Sequence, residues 1–94
     1  STVALQPLLL LNNPFMAERA RGLAARVYAG AGTDRRRQVE DAFETALSRP
    51  PTDAERRAAE EYLASSEDVI DGPSARLVQF CQVILNLNEG IYLE

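Results

Sequence analysis

Residues 33–65 read TDRRRQVEDAFETALSRPPTDAERRAAEEYLAS, and this stretch decides the fold. Val39, Ala42, Phe43, Ala46 and Leu47 recur at i, i+3, i+4, i+7 and i+8, the spacing of a single helix face. Thr33 or Asp34 starts that helix, which runs to about Leu47. Pro50-Pro51 stops it, because the residue before a proline is pushed out of the helical region. Thr52-Asp53-Ala54-Glu55 is a capping box. The Thr52 hydroxyl accepts from the third helical N–H while the Glu55 carboxylate reaches back to the cap N–H. It opens a helix over about Asp53–Ser65, with Ala58, Ala59, Tyr62 and Leu63 as its inner face. Two amphipathic helices joined by a short proline turn make antiparallel neighbours.

The same logic extends outward. Asn13 is a good N-cap, Pro14 suits the first helical position, and Glu18 follows in the early turns of a helix over about Pro14–Ala29. Ala20, Leu23, Ala24, Val27 and Tyr28 mark its inner face, and Gly30-Ala31-Gly32 ends it. Before it, Val3–Leu11 forms a helix that tolerates Pro7 only in its first turn. Toward the C-terminus, residues 66–72 are the most polar loop. Pro73 and Ser74 then start a helix over about Pro73–Leu87. Its Leu77, Val78, Phe80, Cys81, Ile84 and Leu85 leave little polar surface and predict a buried, central element. Gly90-Ile91-Tyr92 reads as an extended tail packing back on the bundle. The expected fold is all-α, a compact bundle of four to five helices with mostly antiparallel neighbours. The first and last helices are central, and residues 1–94 form a single helical domain.

Composition bounds the chemistry. The 94 residues include no His and no Trp, one Cys, and ten basic residues that are all Arg. That removes His bases, Lys Schiff bases, His or multi-Cys zinc sites and any internal disulfide. The net charge of −4 and pI of about 4.8 disfavour nucleic acid as a partner, since an acidic domain repels phosphate backbones. The longest aliphatic run, Leu8 to Leu11, is far short of the ~20 residues of a spanning helix, so membrane insertion is not expected. No basic n-region precedes it to suggest a signal peptide. The start at Ser1 without Met, and the closing Leu93-Glu94, read as the ends of a piece cut from a longer chain.

Each polar feature has a plain reading that outweighs a chemical one. Arg35-Arg36-Arg37 is explained by helix-surface pairs with Glu40 and Asp41 rather than by a phosphate site. Glu67, Asp68 and Asp71-Gly72 lack the spacing and closing Glu of a calcium loop. Glu60 and Glu61 are adjacent on a helix and cannot face each other as an acid–base pair. Met16 and Cys81 read as packing residues, not metal ligands. Tyr28, Tyr62 and Tyr92 invite a sugar-stacking reading, but Tyr28 and Tyr62 sit on core stripes. Asn12, Asn13, Asn86 and Asn88 read as helix caps. Arg49 and Glu89 are candidates for an architectural ion pair between two helix ends, since the Arg fork fits a carboxylate with two bonds. No catalytic, cofactor-binding or metal-binding residue emerges, and no cofactor is expected.

Three stretches, taken together, carry a resemblance. They are Leu10-Leu11-Asn12-Asn13-Pro14-Phe15, Ala46-Leu47-Ser48-Arg49-Pro50-Pro51-Thr52, and Val83-Ile84-Leu85-Asn86-Leu87-Asn88-Glu89. In this order they resemble the C-terminal part of a planctomycete-type domain family of unknown function, found in large exported proteins that often carry c-type cytochrome domains. Thr2, Gln6, Leu11, Asn12, Pro14, Phe15, Arg49, Pro51, Thr52, Asn86, Asn88, Glu89 and Tyr92 fall on its pattern, over nearly the whole chain. Ser48 stands where the family usually has Gly, and Gly90 where it has Phe. The haem-attachment motif is absent. The resemblance implies an exported or periplasmic setting and partners among other domains of the same parent chain. Two readings of function stay open. One is a non-catalytic structural or interaction module of a larger exported protein. The other is a carbohydrate-binding or accessory part of a polysaccharide-processing or cytochrome-linked enzyme.

Overall fold

The amphipathic stripes become four helices around one core. A computed structural model of the chain describes residues 14–65 and 72–88. They form α1 (Pro14–Ala31), α2 (Arg35–Leu47), α3 (Asp53–Ala64) and α4 (Ala75–Asn88), with no strand among the described residues. The all-α bundle expected from the sequence is the observed architecture. The Val3–Leu11 helix, the caps at Asn12 and Asn13, the 66–71 loop, Glu89 and the Gly90–Tyr92 tail lie outside the described residues.

The helix ends follow local chemistry. α1 begins at Pro14 and runs to Ala31, two residues past the expected end. The reason is that Ala31 continues the buried stripe of Ala20, Leu23, Ala24 and Val27. The left-handed turn sits at Gly32 (φ 60°) rather than at Gly30. The Gly32 N–H closes on the Tyr28 carbonyl at 2.8 Å. The buried Gln38 amide donates to the Gly32 carbonyl at 2.6 Å, so a residue of α2 satisfies a backbone acceptor just past the end of α1. Asp34 caps α2 by accepting from the Arg37 N–H at 3.2 Å. The helix closes at Ser48, whose φ of 59° is left-handed and whose N–H bonds the Glu44 carbonyl at 3.0 Å. Ser48 is not a glycine, so it pays the steric cost of a Cβ in that region. α4 starts at Ala75, two residues later than expected. Ser74 serves as its cap by accepting from the Leu77 N–H at 3.0 Å, which leaves Pro73 outside the helix.

α4 packs against α1, α2 and α3, and its contact with α1 is the most extensive. The last helix is therefore central, as expected, and α2 also touches all three others. Among the described residues, Phe80, Leu77, Ile84, Val39 and Cys81 are the largest fully buried side chains, and four of the five come from α4. The Phe43 and Phe80 rings meet with centroids 6.2 Å apart at a 40° tilt, within the range of favourable aromatic pairs. Residues 83–86 are buried in succession, which no single helix face produces, so the end of α4 is enclosed on all sides. α3 has the narrowest inner face. Ala59 and Leu63 are buried and Tyr62 is half-buried, while Ala58, expected inside, is exposed. Ala58 lies about 100° around the helix from Ala59 and is carried off the stripe.

Two substitutions test this account. Phe80→Ala removes the ring that joins α4 to α2 and is expected to cost about 3–5 kcal/mol. That is a large share of the ~5–15 kcal/mol that holds a domain of this size, and it is read as a collapse of the thermal transition by circular dichroism. Ser48→Gly relieves the left-handed strain and is expected to add about 0.5–1 kcal/mol. The melting temperature should rise by about 2–8 °C.

Candidate functional site

The second of the three sequence stretches folds into a small polar clamp at the turn between α2 and α3. The Arg49 guanidinium grips the Glu55 carboxylate with two bonds, Nη1 to Oε1 at 2.9 Å and Nη2 to Oε2 at 3.1 Å. Arg49 Nη1 also donates to the Pro50 carbonyl at 3.0 Å, and the guanidinium lies 5.4 Å from the centroid of the Phe43 ring. The capping box forms as expected: the Glu55 N–H donates to Thr52 Oγ1 at 3.1 Å, and the Thr52 N–H donates to Glu55 Oε1 at 2.9 Å. One carboxylate thus serves the cap and the arginine together. The Arg49 hydrogen bond holds the Glu55 carboxyl below its ordinary value, with the Thr52 N–H adding to the effect. The Arg49 pKa is correspondingly raised by its bond to Glu55.

The expected partner of Arg49 was Glu89, which lies outside the described residues. Among the described residues, both terminal nitrogens of Arg49 are engaged by Glu55. The proline turn explains this. Pro50-Pro51 brings the end of α2 back over the first turn of α3, which sets Arg49 beside Glu55, six positions along.

A second polar contact ties α3 to α4. The Tyr62 hydroxyl donates to Gln79 Oε1 at 2.6 Å, and the Arg76 guanidinium lies 4.7 Å from the Tyr62 ring centroid. Partial burial raises the Tyr62 pKa, against the opposing pull of Arg76, so the phenol keeps the proton it donates. The hydroxyl is committed to Gln79 and the ring carries a cation.

The remaining candidates are placed as follows. Pro14 opens α1, and Phe15 beside it is 67% exposed. Arg36 pairs with Glu40 at 3.2 Å, as the helix spacing predicts. Arg37 and Asp41 make no ion pair among the described residues. Glu60 lies 3.5 Å from Arg56, while Glu61 is exposed. Met16 is a core residue. Cys81 is fully buried, and desolvation pushes its thiol up to about 12, which leaves it without thiolate reactivity. Among the described residues no cluster of three His, Cys, Asp or Glu could hold a metal ion, and no helix is long and apolar enough to cross a membrane.

Asn86 corrects the sequence reading. It is not a terminal cap but lies within α4, 5% exposed, while Asn88 ends the helix and is exposed. The Asn86 Nδ2 group has no hydrogen-bond partner among the described residues. Gln38 was missed entirely. It sits one residue before Val39 on a helix whose stripe is apolar, and nothing in its type announces a buried amide.

A family model described as PSD1, protein of unknown function (DUF1553), matches residues 1–63. The chain belongs to this family. The match takes in the Arg49, Pro51 and Thr52 stretch and ends at Leu63, so the third stretch, with Asn86, Asn88 and Glu89, falls outside it. No curated protein and no solved structure matches the chain.

The Arg49–Glu55 clamp makes a prediction with a defined sign. Because the Glu55 carboxyl is held below its ordinary 4.5, the stability it adds is fully present above that pH. It is lost as acid protonates the folded form. Glu55→Gln keeps a capping residue but removes the charge. Its melting temperature should fall below wild type at pH 7, and the gap should close as the pH drops below about 4.5. A gap that is constant with pH would show that the charge contributes nothing.

Proposed function

We propose that this chain is a non-catalytic helical module of a larger exported protein, of the planctomycete type that often carries c-type cytochrome domains. Its work is to support neighbouring domains of the same parent chain or to present a face to them. The observation that carries this reading is the employment of its polar residues. Arg49, Glu55 and Thr52 are spent on joining α2 to α3. Tyr62, Gln79 and Arg76 are spent on joining α3 to α4, and Gln38 closes the turn after α1. Catalysis needs a nucleophile or a general base aimed at a shared point. These groups instead satisfy one another across helix boundaries.

Substitutions in the parent protein separate this role from a chemical one. Arg49→Ala, Glu55→Gln, Tyr62→Phe and Gln79→Ala are expected to change the parent's activity only in step with their effect on its thermal stability. A loss of about a hundredfold or more, the scale of a missing acid or base, at an unchanged melting temperature would overturn the scaffold reading.

A further inference from the structure

The outward face of α1 has an unusual make-up for a solvent-facing helix surface. Phe15, Glu18, Gly22, Ala25 and Ala29 recur at steps of three, four, three and four residues. That is the spacing of a seam between two packed helices, and all five are exposed. Phe15 is 67% exposed and is the one large exposed hydrophobic among the described residues. Gly22 sits in the middle of an 18-residue helix, where glycine is the poorest former after proline. A Cβ there would meet nothing within 4 Å, so the packing of the described residues gives no reason for its absence. An approaching second helix does, because interaxial distance is set by the side chains at the crossing.

We propose that this face binds the same face of a second copy of the chain, as an antiparallel α1–α1 pair crossing at Gly22. A two-fold axis through Gly22 sets each residue opposite the one whose number completes 44. Phe15 then faces Ala29 of the second copy, and Glu18 faces Arg26 of the second copy, each contact occurring twice by symmetry. The charges select this arrangement. Arg26 is exposed and makes no ion pair among the described residues. Among the described residues Glu18 holds only the exposed Arg21, at 2.8 Å, a contact weak enough to exchange. A parallel pair would put Glu18 on Glu18 and Arg26 on Arg26, which like-charge repulsion disfavours. The seam from Phe15 to Ala29 spans about 21 Å of helix. A single helix pair of that length lies at the small end of specific interfaces, so the dimer is a weak, concentration-dependent one.

Sedimentation equilibrium of the whole chain over a concentration series tests the proposal, with circular dichroism confirming that each variant folds. The wild type is expected to move from monomer to dimer in the micromolar range. Gly22→Leu should hold it monomeric. Glu18→Arg and Arg26→Glu should each weaken the dimer by about tenfold or more, and the double reversal should recover most of the loss. A wild type that stays monomeric to its solubility limit overturns the proposal. So does a dimer that persists in Gly22→Leu, or a double reversal no better than its parents.

Discussion

Everything in this fold depends on covering α4. Its Leu77, Phe80, Cys81 and Ile84 are essentially without solvent contact, and three other helices supply the cover. The other three helices bury their stripes against it and against one another. At roughly 25 cal/mol for each Å² removed from water, the hydrophobic gain is concentrated where α4 meets its neighbours. The chain order places this helix last among the described elements. The earlier helices therefore present an incomplete core until it arrives, and the family match ends at Leu63, before it begins.

Around that core, the turns are secured by side chains rather than by long loops. Gln38 reaches back to Gly32, Arg49 reaches forward to Glu55, and Ser74 holds the first turn of α4. The first two join a group of one element to the next and the third caps its own helix, so that helix placement is fixed at the turns as well as in the core. Exposed ion pairs such as Arg21–Glu18 and Arg36–Glu40 add little to this. The clamp at Arg49 differs from them because its carboxylate also satisfies a helix terminus.

The sequence made most of this legible, because the dominant signals are local. The Val39–Leu47 stripe, the Thr52–Glu55 capping box and the apolar run from Leu77 to Leu85 each depend on residues within two or three turns of one another. What could not be read is what depends on three-dimensional placement. Arg49 found Glu55 because the proline turn folds back, which no spacing rule states. Asn86 was read as a cap from its type and nearness to the end. It is buried because α4 is enclosed on all sides there. Ala58 reads as inside because alanine is neutral to either side. Gln38 gave no signal at all.

The seclusion of Cys81 has a practical consequence. The chain has a single sulfhydryl, and it is fully buried on α4, the helix packed against the other three. An alkylating reagent can reach it only when α4 separates from its neighbours. The protein thus carries its own unlabelled clock for opening. The rate at which that one sulfur is capped reports how often the core comes apart, in the native sequence and without any introduced probe.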